Sequence, residues 1–344
     1  MNMKSMAIFG VKDMRVIETP MPVISDYSCL VHIRAVGFCN CTDVELIEGR
    51  SSEVVKDFPL MAGHEGAGDI AEVGLKVRNF SMGEHILFPE SGKREQGYFV
   101  SAGHYSEYGI VQDYDAMLED GVITAGEMSR ITVYPRKIPA DISFTDAGVL
   151  VPLRETCSAV ANIGVFPGAK VLVYGDGPNA LGLAVFSKLA GAQWLGIAGH
   201  HEDRIQHLSR ILDPDFTVNT HEKSVPESLG KVRPDFAIVA VGSVPLMIEA
   251  SRLVKPCGKV VLYSALRPGQ NHMDLNDFAN SVNFQRHNFP LGDLEVTEEV
   301  TDLIRAGKVN PKDFYSHTVP LEDFRKAYEM TIRRDAFKVI VEMP

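Results

Sequence analysis

The feature that most constrains this chain is one segment in its second half, where an apolar run meets a glycine-rich turn. Val171 to Tyr174 is a short apolar run typical of a buried strand, and Gly-x-Gly-x-x-Ala follows it directly, with small residues at Gly175, Gly177 and Ala180. The first glycine permits a tight turn, the second lets the backbone approach a pyrophosphate, and the small third residue lets the next helix pack close to the strand. The segment therefore predicts a strand, a turn and a helix that bind a dinucleotide.

The residues around this turn continue the same alternation, which the motif requires. The pattern predicts strands over 170–174, 194–198, 236–241 and 259–263, with helices over 152–161, 181–189, 204–212 and up to residue 254. Nearly continuous apolar strands that alternate with helices are typical of a parallel sheet covered on both faces. A helix that begins at such a turn directs its N–H groups and positive dipole end at the phosphates. The alternative is a glycine-rich turn without a ligand.

The first part of the chain has a different pattern. Short β-rich segments over 4–9, 14–18, 29–35, 68–73 and 85–88 are separated by glycines, which predicts a compact, mostly β domain. From residue 90 to 125 the pattern ends, and we interpret that stretch as a long excursion of uncertain structure. The tail predicts helices over 295–305 and 321–331 and a last strand over 336–342.

Charge and composition exclude several classes of function. The 344 residues include 34 Lys and Arg against 45 Asp and Glu, and the net charge of −11 argues against a nucleic-acid partner. No apolar run reaches the ~18 residues of a membrane span, and the first residues lack the apolar core of a signal peptide. Five cysteines are an odd number for a disulfide framework. We expect a cytoplasmic protein that acts on a small molecule, without a nucleic-acid or membrane partner.

The end of the second predicted strand bears on the form of the dinucleotide. An acidic residue there usually holds the adenosine ribose, but this position is Gly199, followed by His200, His201 and Arg204. On charge grounds the segment favours NADP(H) over NAD(H), with Glu202 or Asp203 in the acidic role as the alternative. The predicted cofactor-binding residues are Gly175, Gly177, Pro178, Asn179, Ala180, Gly199, His200, His201, Arg204 and Gly242.

Two short segments in the first half contain residues that can bind a metal. Cys39 lies in Gly37-Phe38-Cys39, and His64 and Glu65 lie between Gly63 and Gly66. Cys, His and Glu are the ligand types of a catalytic zinc, which takes three protein ligands and keeps one position open. Each segment alone is weak evidence, because a lone cysteine is more often a small buried hydrophobe.

Taken together, these motifs resemble the zinc-dependent branch of the medium-chain dehydrogenase/reductase superfamily, which includes sorbitol, threonine and glucose dehydrogenases. The resemblance runs from end to end and rests on Cys-x-x-Thr-Asp, Gly-His-Glu, the glycine turn and the segments 83–86, 137–139, 320–324 and 338–340. It implies an α/β plus β fold, in which a GroES-like β domain (1–152 and 291–344) surrounds an inserted Rossmann domain with a doubly wound parallel sheet (153–290). Relatives are usually dimers or tetramers, so we expect a homodimer or homotetramer.

The sequence departs from the family pattern at two metal-ligand positions. The usual Cys-Gly-Ser/Thr-Asp is one residue longer here, which leaves Cys39 as the first choice of ligand and Cys41 as the alternative. The third ligand position of polyol dehydrogenases falls on Val151. Glu155 follows one helical turn later and is our candidate for restoring the coordination. A second metal site of the family, a structural zinc held by four cysteines, is not expected because 89–125 contains no cysteine.

The resemblance implies hydride transfer between a secondary alcohol or its ketone and a nicotinamide. One catalytic Zn²⁺ per subunit would polarise the oxygen. Its candidate ligands are Cys39, His64, Glu65 and Glu155. Glu65 can instead orient the ligands without binding the metal itself. The predicted catalytic residues are Cys39, Thr42, His64, Glu65 and Glu155. Thr42 matches the family's proton relay, although Thr42 and Asp43 equally suit a helix cap. Polyols and sugar derivatives are the expected substrates.

Other interpretations stay open from the sequence. Cys39 and His64 can serve packing alone, in which case the chain is a zinc-independent NADPH reductase of the quinone or enoyl type. A non-catalytic dinucleotide-binding protein is the third possibility. Further positions are interpreted structurally: we expect His104, Tyr105 and Tyr108 to pack rather than touch substrate, Lys338 to lie at the edge of the last strand, and Arg154 to be an exposed residue of a first helical turn.

Overall fold

The computed structural model describes residues 1–50, 58–88, 97–129, 131, 134–266, 269, 271–279, 281–287 and 291–344. The chain divides into two compact units. We call Met1–Val151 with Thr301–Pro344 the terminal unit, and Pro152–Val300 the central unit. The sequence predicted that the chain returns to the first unit at residue 291, whereas in the structure it returns at residue 301.

The first segment of the terminal unit is mostly β. Its elements are β1 (Asn2–Gly10), β2 (Asp13–Pro20), β3 (Ser28–Gly37), α1 (Thr42–Ile47), β4 (Leu60–Met61), β5 (Gly66–Val73), β6 (His85–Leu87), β7 (Phe99–Val100), β8 (Tyr108–Gln112), α2 (Tyr114–Glu119), α3 (Ala125–Met128), β9 (Arg136–Ile138) and α4 (Phe144–Ala147). The described part of the predicted excursion thus contains the short strands β7 and β8 and the helix α2, and it ends where α3 begins. Residues 90–96 of that excursion lie outside the described residues.

Strands and helices alternate in the central unit. Its elements are α5 (Leu150–Ile163), β10 (Lys170–Tyr174), α6 (Pro178–Leu189), β11 (Trp194–Gly199), α7 (Glu202–Leu212), β12 (Phe216–Asn219), α8 (Val225–Leu229), β13 (Phe236–Val239), α9 (Val244–Leu253), β14 (Lys259–Leu262) and β15 (Asn283–Arg286). The chain then continues through α10 (Thr297–Arg305), β16 (His317–Pro320), α11 (Phe324–Arg333) and β17 (Val339–Glu342). Single 3₁₀ turns occupy Leu275–Asp277, Pro311–Asp313 and Leu321–Asp323.

Two sheets form the terminal unit, and both chain ends contribute to the larger one. Its order is β16-β17-β3-β5-β6-β9, with β8 also paired to β3, while β2-β1-β4-β7 form the smaller sheet. Strand β3 is buried along most of its length because β5, β8 and β17 all pair with it. In the β3–β5 pair, Val36 lies opposite Gly66. This register places the residues just after β3 beside those just before β5.

A single parallel sheet forms the central unit, in the order β12-β11-β10-β13-β14-β15. Counted from β10, this is the 3-2-1-4-5-6 order of a Rossmann fold, whose ligands bind beyond the carboxyl ends of the strands. The pattern predicted β10, β11, β13 and β14 but missed β12 and β15. Both missed strands are four residues long, and neither has a continuous apolar run.

Helices begin earlier than their apolar periodicity indicates. Helix α6 starts at Pro178 rather than Leu181, and α7 starts at Glu202 rather than Arg204. Proline fits the first turn because its missing N–H is not needed there, and acidic residues are favourable at the positive end of the helix dipole. Among the helices that the structure describes, none has the length and apolar character needed to cross a membrane.

Candidate functional site

Cys39, His64 and Glu65 lie together in the terminal unit. One potential ligand atom from each falls within 4.8 Å of the others, and this is the group with metal-ligand spacing among the described residues. The β3–β5 register explains the meeting, because Cys39 follows β3 and the His–Glu pair precedes β5. We call these three residues the donor cluster.

Glycines on both sides of the donor cluster make the close approach possible. Gly63 has a φ of +96°, and a Cβ there would lie 2.8 Å from the ring of Tyr105. A Cβ on Gly66 would lie 2.8 Å from His104 Nδ1, and one on Gly37 would lie 2.4 Å from the Glu65 carboxylate. Any side chain at these positions would displace the Glu65 carboxylate or the rings of Tyr105 and His104.

His64 is surrounded by acidic groups. Its Nδ1 lies 3.7 Å from Asp43 Oδ1, and its Nε2 lies 3.9 Å from Glu65 Oε1. Burial lowers the pKa of His64, but the hydrogen bond to Cys39 and the negative charges of Cys39, Asp43 and Glu65 outweigh that effect and raise the pKa to about 10. A thiol, an imidazole and a carboxylate that attract positive charge together fit a divalent zinc ion.

Asp43 is a buried acidic residue that holds the backbone of the donor cluster by a hydrogen bond. It is fully buried, and its Oδ2 accepts hydrogen bonds from the backbone N–H of Cys39 at 2.9 Å and from the hydroxyl of Tyr105 at 2.6 Å. The expected helix cap at Thr42 or Asp43 is wrong, since the N-cap of α1 is Cys41 and it makes no side-chain capping bond. The sequence did not predict the Asp43–Tyr105 bond, because 62 residues separate the two.

Lys338 provides a buried positive charge beside Glu65. Its Nζ lies 2.6 Å from Glu65 Oε2 and donates to the carbonyl of Phe38 at 3.1 Å. Both side chains of the ion pair are at most 5% exposed. Burial lowers the pKa of Lys338, but the Glu65 charge and the other acidic groups raise it overall, so the lysine stays protonated. The prediction that Lys338 merely edges the last strand is wrong.

The structure distinguishes the two cysteines of the lengthened motif. Cys39 Sγ accepts a hydrogen bond from the backbone N–H of Thr42 at 3.4 Å. Cys41 is exposed, and its thiol lies 3.9 Å from Glu45 Oε1. Cys39 therefore occupies the donor cluster, as the sequence preferred. Thr42 is half-buried next to it, and its relay role stays a prediction.

The glycine turn of the central unit is open where a pyrophosphate would lie. Gly175 has a φ of +133°, and a Cβ there would lie 3.3 Å from the Cβ of Ala180, as expected for close strand–helix packing. Gly177 is the N-cap of α6 without a side-chain capping bond, and no atom lies within 4 Å of its Cβ position. Helix α6 begins at this open position, with Pro178 in the first turn and Asn179 exposed. This turn fits a dinucleotide.

The remaining predicted cofactor residues lie at the same end of the sheet. Gly199 ends β11, His200 is exposed beyond it, and His201 and Arg204 are half-buried at the start of α7. Gly242 follows β13 and lines a cavity of about 480 Å³. The other lining residues are Ser243, Val244, Pro245, Gly269 and His272.

Comparisons with known proteins show similarity to dehydrogenases along the whole chain. Residues 25–124 match the family model of the alcohol dehydrogenase GroES-like domain. A sorbitol dehydrogenase from Gallus gallus is 24% identical over 337 residues, covering 96% of this chain and 93% of the relative. A zinc-binding dehydrogenase from Sinorhizobium meliloti 1021 bound to NADP has a TM-score of 0.78 at 20% identity, with 99% of each chain covered. An alcohol dehydrogenase from E. coli CFT073 complexed with NADH has a TM-score of 0.79 at 19% identity, again with 99% of each covered.

Residues 25–124 thus match a GroES-like domain, and the similarity of the whole chain to sorbitol and zinc-type alcohol dehydrogenases supports the zinc-dependent branch of the medium-chain dehydrogenase/reductase superfamily. The predicted fold, a GroES-like domain with a Rossmann-like parallel sheet, is confirmed. These similarities support zinc and a nicotinamide cofactor for this chain.

The third ligand position departs from the pattern of the polyol dehydrogenases that the sequence resembles. Val151 is buried in α5, and Glu155 is half-buried one turn further along the same helix. Glu155 belongs to the central unit, so its part in the metal site stays a prediction.

Arg154, the residue before it, was expected to be exposed, and that prediction is wrong. Arg154 is fully buried, with Nη2 3.1 Å from Asp293 Oδ2 and Nη1 3.0 Å from the hydroxyl of Thr297. The partners lie 139 and 143 residues away, beyond the reach of any local pattern.

The aromatic residues expected to pack are mostly buried. His104 accepts a hydrogen bond from the backbone N–H of Gly66 at 3.0 Å, and Tyr105 packs against Phe324. Tyr108 stacks on His32, with ring centroids 4.7 Å apart. His104 and Tyr105 therefore support the donor cluster rather than fill an external lobe.

Proposed function

We propose that this chain is a zinc-dependent oxidoreductase that transfers a hydride between a nicotinamide cofactor and a secondary alcohol or ketone. The observation that carries the proposal is the donor cluster of Cys39, His64 and Glu65 in a chain that is similar to zinc-type dehydrogenases over its whole length. The glycine turn at Gly175 to Ala180 supports the cofactor half of the reaction. The terminal unit would hold the metal and the central unit the dinucleotide.

The residues divide the work as follows. Cys39 and His64 would hold Zn²⁺, with Glu65 and Glu155 as further candidate ligands. When bound, the ion would supply a Lewis acid that acidifies the substrate hydroxyl. Asp43 Oδ1 lies 3.7 Å from His64 Nδ1 and would attract that side of the ring, which would leave Nε2 for the metal. Lys338 holds Glu65 at Oε2, so this carboxylate is available mainly through Oε1. Thr42 would accept the substrate proton.

We further propose that NADP(H) is the favoured form of the cofactor. Gly199 supports this, because a Cβ there would lie 2.5 Å from the side chain of Ile205 and no carboxylate fits. Arg204 would add positive charge near a 2′-phosphate, and His200 could donate a hydrogen bond to it. Removal of the usual strand-end carboxylate and addition of cations act in the same direction.

A polyol or sugar derivative is the proposed substrate class. The similarity to the Gallus gallus sorbitol dehydrogenase spans nearly the whole chain and supports this class. We also propose a cytoplasmic homodimer or homotetramer that has no nucleic-acid or membrane partner. The net charge of −11 supports the absence of a nucleic-acid partner.

Elemental analysis combined with turnover assays tests the proposal. We expect about one equivalent of zinc per chain and reversible oxidation of some member of a panel of polyols, sugars and secondary alcohols, with either coenzyme. Removing the zinc with a chelator should abolish turnover, and adding zinc should restore it. Full activity in zinc-free protein would instead favour a zinc-independent reductase of the quinone or enoyl type. Dinucleotide binding without any turnover would favour a non-catalytic protein.

A further inference from the structure

Asp176 lies between Gly175 and Gly177 of the turn, at a position that the Gly-x-Gly-x-x-Ala motif leaves unspecified. It follows β10, and its Cβ would lie 3.1 Å from a Cβ on Gly199, the position that holds the ribose carboxylate in related folds. Asp176 is 8% exposed. The Asp176 side chain therefore occupies space next to the strand end, and Gly199 leaves room for it.

The contacts of Asp176 tie the turn to the start of α7. Its Oδ2 accepts hydrogen bonds from the backbone N–H of His200 at 2.7 Å and of His201 at 2.8 Å. The same oxygen lies 2.9 Å from His201 Nδ1. Two backbone donors and one imidazole that suit a phosphate are thus directed at a carboxylate of the protein itself.

The charge on Asp176 persists at neutral pH. Burial raises the pKa of this carboxyl, but the hydrogen bonds from His200 and His201 outweigh burial and lower the pKa overall. A negative charge at this edge of the sheet repels a second negative charge placed beside it. A ribose hydroxyl, in contrast, donates a hydrogen bond to a carboxylate.

We propose that Asp176, rather than a residue at the end of β11, is the acidic residue that faces the adenosine ribose and sets the ratio of NAD(H) to NADP(H) binding. The inference rests on the proposed binding of a nicotinamide dinucleotide at the glycine turn. Asp176 opposes a 2′-phosphate in two ways, by its own charge and by holding His201. It therefore limits the preference for NADP(H) that Gly199, His200 and Arg204 favour.

Asp176→Asn tests this directly, because asparagine keeps an oxygen acceptor for the two backbone N–H groups while it removes the charge. Dissociation constants of NADH and NADPH are measured by fluorescence titration of the purified full chain without substrate. We expect the ratio of the NADPH constant to the NADH constant to fall by about tenfold, the size of one charge-assisted hydrogen bond. Asp176→Ala should move the ratio in the same direction.

Two further variants make the outcome decisive. Asp235→Asn removes a carboxylate that also accepts a backbone N–H, from Lys170, at the opposite end of the same strands, so it controls for a general loss of stability. Asp203→Asn removes an exposed charge near the start of α7. Neither should change the ratio by more than about twofold.

An unchanged ratio in both Asp176 variants, with both coenzymes still bound, would overturn this inference alone. A shift in Asp203→Asn instead would transfer the role to Asp203 and overturn it as well. Failure of the wild-type chain to bind either coenzyme would overturn the proposed function and, with it, the role of Asp176.

Discussion

The donor cluster and the glycine turn are built in opposite ways. The turn is local: Gly175, Gly177 and Ala180 lie within six consecutive residues, and one strand and one helix place them. The donor cluster is assembled from distant segments, since Cys39 and His64 depend on the β3–β5 register and Glu65 depends on Lys338 from the other end of the chain.

The difference teaches which substitutions the two sites tolerate. In the turn, a residue acts through the space it leaves for a ligand, as Gly177 does with no neighbour within 4 Å. In the donor cluster, the charge of Glu65 is buried against that of Lys338, so removal of one partner leaves the other without compensation. The turn should therefore lose binding without loss of fold, whereas the cluster should lose both.

The largest effect is expected for Cys39→Ser. Loss of the thiolate should remove zinc from the purified chain and lower turnover by at least about a thousandfold, because a serine hydroxyl is a poor zinc ligand. Elemental analysis and the turnover assay measure the two losses. Cys41→Ser is the matched control, since Cys41 is exposed and lies outside the cluster. Zinc loss in Cys41→Ser but not in Cys39→Ser would contradict the prediction and assign the metal to Cys41.

A smaller effect is expected for Lys338→Met, which leaves the buried Glu65 carboxylate unpaired. The free energy of unfolding should fall by about 3 kcal/mol, measured by urea denaturation of chelator-treated protein. The double variant Lys338→Met/Glu65→Gln should recover most of this loss, because both charges are then absent. Lys76→Met, at a half-exposed lysine, serves as the control and should change little. Equal losses of unfolding free energy in the two lysine variants would show that the buried Lys338–Glu65 pair contributes no more to stability than a half-exposed lysine does.

Two alanine substitutions in the glycine segment sharpen the comparison further. Gly182→Ala places a Cβ 2.4 Å from the Thr156 hydroxyl, which two backbone carbonyls hold in place, and should destabilise the chain by about 1–2 kcal/mol. Gly177→Ala meets no protein atom and should leave the free energy of unfolding within about 0.5 kcal/mol of wild type.

Dinucleotide binding should respond in the opposite order. Gly177→Ala should weaken binding by about tenfold, because the methyl group takes up space beside the pyrophosphate. Urea denaturation and fluorescence titration of both variants measure the two effects. If Gly177→Ala destabilises the chain more than Gly182→Ala does, the open turn described above is incorrect.

The smallest effect is the pH dependence of the Asp176 contacts. Because the pKa of this carboxyl is lowered in the folded chain, the unfolded chain takes up the proton first as the pH falls. The contribution of Asp176 to stability is thus present above about pH 4 and is lost as the pH falls through the folded pKa. The free energy of unfolding of wild type and Asp176→Asn, compared between pH 7 and pH 3.5, should converge toward the acid end. A difference that does not vary with pH would contradict this.

The sequence predicted what local pattern controls. The glycine turn, the alternation of strands and helices, and the choice of Cys39, His64 and Glu65 all follow from residues within a few positions of one another, or from motifs that resemble a family. It missed β12 and β15 because short polar or exposed strands have no apolar run, and it missed the roles of Asp176, Tyr105 and Lys338 because their partners lie far along the chain.

The sequence by itself determined the two-part fold and the residue types at both sites, because backbone conformation and hydrophobic burial depend on neighbours along the chain. Only the tertiary structure decided the charges around those residues. The members of each pair lie at least 25 residues apart in the chain. The pairs are Lys338 with Glu65, Tyr105 with Asp43, Arg154 with Asp293, and Asp176 with His201. Such pairs form because a buried charge needs a partner, and the fold alone determines which residue is near enough to serve.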